Sequence, residues 1–338
     1  MKYSKEFLRN KNIYLFVCGL VLLVITAVLS LSVGSSGIKL KETIEGLFSS
    51  EKSGTYDVIL RYIRLPRVIA ALLSGAALAV SGAVLQGVLT NKLASPGIIG
   101  VNAGAGFGVT LCAFFGVASG FMFSISAFLG ASVAASLIML AAFKTRASKT
   151  MVILGGVAVN SILNAASESL SVLDSDVALM SADFRIGGFS AISQSRLLPA
   201  AVLIVASLVI LFTLCNELDV LGLGDETAKG LGMNVRRMRM IFLLIASLLA
   251  GASVSFAGLL GFVGLIIPNL LRGIVGDKSS VLLPLSAIYG AFFVTLCDTV
   301  ARIAFSPYEL PVGIIMSLVG GPVFILLLVK SKGGRKNA

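Results

Sequence analysis

Eight long stretches of this chain, each of 18 residues or more, contain no Asp, Glu, Lys or Arg: residues 12–38, 68–91, 93–143, 150–167, 197–216, 240–271, 279–297 and 310–329. A helix needs about 20 mostly apolar residues to cross a bilayer core. The 51-residue stretch 93–143 therefore holds two helices, turning near residues 116–120. The 32-residue stretch 240–271 reads either as one tilted helix or as two short ones broken around Gly258 and Gly261. Parity decides between them. Lys2, Lys5, Arg9 and Lys11 flank one end of the chain and Lys330, Lys332, Arg335 and Lys336 the other. Basic flanks stay cytoplasmic, so the number of crossings is even. The pattern predicts an all-α, polytopic membrane protein of about ten transmembrane helices, both termini cytoplasmic, as a single domain over residues 1–338. The first apolar core, residues 13–33, is 21 residues long. That exceeds the 7–15 residues of a secretory signal core and predicts an anchored first helix.

Composition agrees with the spans. Hydrophobic residues make up 57% of the 338 and charged residues only 13%, about half the usual share for a soluble domain. Mean hydropathy is +1.00. This balance is the reverse of disorder. The four cysteines, Cys18, Cys112, Cys215 and Cys297, lie scattered in or beside apolar stretches and read as packing residues. The absence of histidine removes the commonest zinc and haem ligand and the usual general base. The net charge of +11 sits in short flanks between apolar runs, which points to membrane orientation and not to nucleic acid. The ten-span topology puts 18 Lys and Arg inside and 9 outside, the expected bias.

Three loops are long enough to carry function. Residues 35–64 and 171–196 lie outside, and 216–239 inside. The inner loop has acids at Asp225 and Glu226 and a lysine at Lys229, a helix-compatible order that Gly230 and Gly232 would stop. It reads either as an amphipathic connector on the membrane surface or as a docking helix for a cytoplasmic partner. Gly97, Gly100, Gly104, Gly106 and Gly108 follow Ser95-Pro96. Small residues let helices approach closely in lipid, and a broken helix lining a pathway is the other reading. Asp298 and Arg302 stand four apart and can pair on one helix. Glu168, near the outer end of the fifth span, reads as a proton carrier or as a carboxylate that reaches the interface. No phosphate-binding loop, nucleophile elbow or metalloprotease motif occurs, so any ATP hydrolysis falls to another chain.

Arg64-Leu-Pro-Arg67, then Gly75-Ala-Ala-Leu-Ala-Val-Ser-Gly-Ala-Val-Leu-Gln86, Leu93-Ala-Ser-Pro-Gly97 and Gly100-Val-Asn-Ala-Gly-Ala-Gly106 closely resemble the FecCD-type permeases. These are the membrane subunits of ABC importers for iron-siderophores, haem and vitamin B12. The second half agrees through Leu223-Gly-Asp-Glu226, Gly261-Phe-Val-Gly-Leu-Ile-Ile-Pro268, Leu283-Pro-Leu-Ser286, Asp298-Thr-Val-Ala-Arg302 and Glu309-Leu-Pro-Val-Gly313.

The resemblance implies ten helices, pairing with a second permease subunit (a homo- or heterodimer), two ATP-binding cassette ATPase subunits below and an extracytoplasmic substrate-binding protein above. It implies a bacterial cytoplasmic membrane location, no cofactor and no metal site in this chain. By resemblance the 216–239 loop is the coupling element, with Gly224, Asp225, Glu226, Ala228, Leu231 and Gly232 as ATPase-docking candidates. Arg64, Arg67 and Arg302 match the arginines that pair with glutamates of the binding protein, a role suited to a rigid, always-charged fork. The family often carries histidine after the Ile-Pro of the eighth helix, whereas this chain has Asn269. The rival reading is a stand-alone ion-coupled secondary transporter that depends on Glu168 or Asp298. A membrane-embedded enzyme would need a reactive cluster that the sequence does not contain.

Overall fold

The computed structural model describes residues 2–32, 58–117, 119–144, 148–190, 192–305 and 308–333. Residues 33–57, most of the expected first outer loop with Lys39, Lys41 and Lys52, lie outside the described residues. Among the described residues every regular element is a helix. In chain order they are α1 (Lys2–Ser32), α2 (Leu65–Val88, entered through a π-helical turn, Ile59–Arg64), α3 (Val101–Phe114), α4 (Gly120–Lys144), α5 (Lys149–Leu173), α6 (Ser175–Ile186) and α7 (Gln194–Thr213). There follow α8 (Cys215–Gly222), α9 (Asp225–Gly230), α10 (Val235–Ala257), α11 (Val263–Val275), α12 (Ser279–Ile303) and α13 (Val312–Gly333).

Seven of these are long and apolar enough to cross a membrane, and three shorter apolar segments accompany them: Val101–Phe114, Val263–Val275 and Val312–Leu327. Both divisions expected from the charge-free stretches fall in place. The stretch 93–143 turns between Phe114 and Gly120, and 240–271 breaks between Ala257 and Val263. Other boundaries shift. The fifth apolar helix runs on to Leu173, beyond the charge-free limit at residue 167, because Glu168 lies on its exposed face. The segment 171–196, expected outside, contains a twelve-residue helix, α6, whose first turn is capped by Asp174. The segment 216–239, expected inside, contains α8 and α9, and its last residues already belong to α10.

The centre is built on α2 and α10, each 78% buried over its apolar window, whereas α1 and α5 are 17% buried. α2 owes this place to its small residues. Ala70, Ala71, Ala77, Ala79 and Ala83 are almost wholly enclosed. A Cβ at Gly82 would overlap the backbone of Gly264 in α11, and one at Gly75 would overlap Gly290 in α12. Backbones in such contact gain dispersion in a solvent that offers no hydrophobic drive between helices. Two hydroxyls of α2 are satisfied against α10: Ser74 and Ser253 share a 2.6 Å hydrogen bond, and Ser81 donates to the Ala246 carbonyl at 2.7 Å. Part of the Gly97–Gly108 cluster works the same way, since Gly104 packs on Gly130 of α4.

The breaks are also covered. Helices of 13 and 14 residues span only about 20 Å, short of a ~30 Å core. Non-helical backbone at that depth survives only where protein surrounds it. After α10, Gly258 turns at φ +71°, and the amide of Leu259 donates to the Phe184 carbonyl at the end of α6 (3.0 Å). The Gly188 amide donates to Ala257 (2.9 Å), and that of Gly313 to Gly187 (3.2 Å). The ends of α6 and α10 and the start of α13 thus complete one another's backbone bonds.

Over-packing of this kind costs about 1–3 kcal/mol. Gly82→Ala should therefore lower the melting temperature of the detergent-solubilised protein, whereas Gly155→Ala, with open space around its Cβ, should leave it unchanged. Equal melting of the two variants would show that the α2–α11 crossing is not tight.

Candidate coupling tip and buried arginine network

The six coupling candidates lie together on and around α9, in two environments. Gly224 enters the helix at φ +105° and Gly232 leaves it at φ +82°, both with open space around them. Ala228 is fully buried beneath the helix. Glu226 and Leu231 face outward: the Glu226 side chain is 92% exposed and pairs with Lys229 at 3.0 Å, and Leu231 is 64% exposed. Leu223, at 63%, stands beside them. Asp225 points the other way. Its Oδ1 accepts from Arg239 at the start of α10 (2.6 Å) and lies 3.3 Å from Lys149 at the start of α5. The hydrogen bond from Arg239, aided by the charges of Arg239 and Lys149 and opposed by partial burial, holds the Asp225 carboxyl below its ordinary value of 3.8. The tip is thus pinned from behind to two spanning helices and offers a mixed apolar and charged outer face.

Arg64, Arg67 and Arg302 are brought together at the opposite ends of α2 and α12. All three are buried, at 4%, 8% and 4% exposure. The centre is Asp298, fully enclosed, which takes hydrogen bonds from Arg67 Nε and Nη2 and lies 3.3 Å from Arg302 Nε. Arg67 Nη1 also reaches Glu309 at 2.6 Å. The i, i+4 pairing of Asp298 with Arg302 read from the sequence is present, and Arg67 joins it from another helix. Arg64 and Arg302 also serve the end of α1, whose last carbonyls lack intrahelical partners. Arg64 donates to Leu31 (2.6 Å) and Ser32 (3.0 Å), and Arg302 to Ser30 (3.0 Å). A docking face built on these arginines therefore carries them at its base, engaged within this chain.

Sequence reasoning missed several partners. Glu309, Lys149, Arg239 and Ser30 are ordinary polar residues in sequence. Glu309 lies 242 positions from Arg67, Arg239 lies 14 from Asp225, and Ser30 lies 272 from Arg302, so no local signal marks them. Asn269 donates to the carbonyls of Lys92 and Leu265 at 2.8 Å, a linking role between α11 and the α2–α3 connection. Along α5, Ser161, Asn164 and Glu168 are exposed and Ser171 half-exposed, a polar stripe at helical spacing. Glu168 lies 3.9 Å from Arg185 of α6. Among the described residues no group of three His, Cys, Asp or Glu side chains is placed to hold a metal ion.

A bundle of long and short apolar helices, with a polar stripe on one of them and a charged tip at one end, is the architecture of a multi-pass membrane protein. The chain belongs to the FecCD transport family, whose family model matches residues 22–330. It is 33% identical over 335 residues to the Fe(3+)-citrate import system permease protein YfmD of Bacillus subtilis, covering 98% of this chain and 99% of that one. It is 33% identical over 322 residues to the hemin transport system permease protein HmuU of Yersinia pestis, covering 94% and 95%. Among solved structures it resembles a metal-chelate type ABC transporter in an inward-facing conformation, with a TM-score of 0.83 and 33% identity over 94% of this chain and 99% of that one.

The two polar centres can be probed separately. Breaking a buried ion pair from one side costs about 3–5 kcal/mol, so Asp298→Ala should cause a large loss of thermal stability, far beyond that of exposed Glu226→Ala. Asp225 supplies a pH test. Its folded value is lowered, so its bridge contributes fully above the ordinary value of 3.8 and is lost as the pH falls through the lowered one. The stability gap between wild type and Asp225→Asn should stay constant from neutral pH to about 5 and close only below the ordinary carboxylate range. A gap that closed near neutrality would refute the bridge.

Proposed function

We propose that this chain is the permease subunit of an ATP-driven importer, carrying an iron-siderophore or related metal chelate across a bacterial cytoplasmic membrane. It hydrolyses nothing itself. Two separate ATPase subunits dock beneath the 216–239 segment, a second permease subunit pairs with this one, and an extracytoplasmic binding protein delivers the cargo. On this reading the seven long helices and three short apolar segments make ten crossings, and both termini are cytoplasmic.

The observation that carries the reading is the tip at α9. Glu226 on α9 and Leu223 and Leu231 flanking it stand exposed, and the helix is fixed from behind by Asp225, a firm platform for a soluble partner. The stripe on α5 supports the pathway. Polar groups on a spanning helix are costly against lipid, so Ser161, Asn164 and Glu168 belong against water, at the junction with the second permease subunit. At the other end, docking through Arg64, Arg67 and Arg302 requires a carboxylate of the binding protein to join or exchange with Asp298 and Glu309. The ion-coupled alternative is disfavoured by the two candidate carboxylates themselves: Asp298 is shared by two arginines, and Glu168 lies beside Arg185.

Reconstitution in proteoliposomes with the ATPase and binding protein encoded beside it tests the reading. ATP-dependent uptake from a panel of radio-iron chelates is expected. It should vanish in Glu226→Arg/Leu231→Asp, which should also fail to retain the ATPase on purification. Uptake without ATPase that collapses with the ion gradient would establish the alternative.

A further inference from the structure

The connection between α7 and α10 divides into two parts with different surroundings. α9 is the exposed tip. α8, just before it, is a wedge: Cys215, Leu218 and Leu221 are buried, and Leu218 packs against Gly87 at the end of α2. None of the coupling candidates lies on this wedge.

One polar contact fixes the wedge to the bundle. Asp219 Oδ1 accepts the backbone N–H of Ser279, the first residue of α12, at 2.8 Å. The first N–H groups of a helix have no intrahelical acceptor and are normally served by the preceding side chain. At α12 the preceding residue is Lys278, which has no acceptor to offer and makes no cap. The cap comes instead from a carboxylate sixty residues upstream, placed at the positive end of the helix dipole. α12 then runs 25 residues, with Pro284 in its second turn, to Asp298 and Arg302. Beyond Pro284 it is packed on α2 through the Gly75–Gly290 crossing, so one continuous helix joins the wedge to the arginine network.

We infer that Asp219 is a positioning residue that latches the wedge α8 to α12, so that displacement of the tip by a docked ATPase moves α12 and, through Asp298, the far end of the bundle. Asp225 fastens the tip to α5 and α10, and Asp219 fastens the wedge to α12. Two of the four acids in this short segment thus hold three spanning helices. This inference rests on the importer reading above.

The test uses the full reconstituted complex with Asp219→Ala and Asp219→Asn. Asn keeps an oxygen that can accept the Ser279 N–H. The expected result is that Asp219→Ala still assembles with the ATPase and hydrolyses ATP, while cargo taken up per ATP falls about tenfold, within the usual range for coupling between distant sites. Asp219→Asn restores most of the uptake. Spin labels at Gly222→Cys, where a side chain has open space, and at exposed Ser280→Cys give a second reading. Their separation should stay constant through the nucleotide cycle with Asp219 present, and change in Asp219→Ala. If Asp219→Ala transports like wild type, if Asn does not rescue, or if Asp219→Ala loses assembly and hydrolysis together, the latch is overturned while the importer reading stands. If wild type itself shows no ATP-dependent uptake, the importer reading fails and the latch with it.

Discussion

Asp298 is a carboxylate with no access to water, and the structure at that end of the bundle is arranged around keeping it paired. A lone charge in such a place is untenable, so Arg67 and Arg302 must both converge on it. Their convergence fixes α2 against α12. Arg302 and Arg64 then reach the last carbonyls of α1, and Arg67 reaches Glu309 just before α13. α1 is barely buried along its apolar window. It is held by these capped carbonyls and, lower down, by the Tyr289 hydroxyl on the Leu15 carbonyl and the Lys11 ammonium on the Ile274 carbonyl. These polar contacts add to the packing of Gly19 on Tyr289 and of Leu31 on Leu60 and Val68.

The same rule, that polar groups away from water must be satisfied within the protein, governs the breaks in α10–α11 and α2–α3. After Ala257 the Leu259 amide is taken up by the Phe184 carbonyl of α6, while the Ala257 carbonyl accepts the Gly188 amide. Asn160 Nδ2 donates to the Gly97 carbonyl at 2.7 Å in the other break. Interiors packed backbone to backbone at Gly75, Gly82 and Gly104 do not deform smoothly. Movement in such a protein shifts whole helices past one another. The acids of the α8–α9 segment lie where they can grip helices individually, which is why the inward-facing sides of that segment matter as much as its exposed tip.

Much of the architecture is legible in the chain. Crossing a bilayer demands long runs without charge, so the spans, the turn near residues 116–120 and the break at Gly258 and Gly261 can be placed by counting. Glycines predict close helix contact, and Gly82 and Gly104 make it. The residues of the coupling tip and the three arginines are found through motif resemblance. Their settings are not. Asp225 reads as a partner contact and faces Lys149 and Arg239, while Arg64, Arg67 and Arg302 read as surface forks and are buried.

The limit lies in sequence separation. Hydropathy acts along the chain and against the membrane, so the sequence alone determined a polytopic helical protein and its approximate spans. Whether a carboxylate faces a partner, an arginine or a helix terminus depends on residues tens to hundreds of positions away: Asp298 on Arg67, Asp219 on Ser279, Arg302 on Ser30. Only the tertiary structure decides those pairings, because in a low-dielectric interior a charge is stable solely where the packing of other helices brings its counterpart within hydrogen-bonding distance.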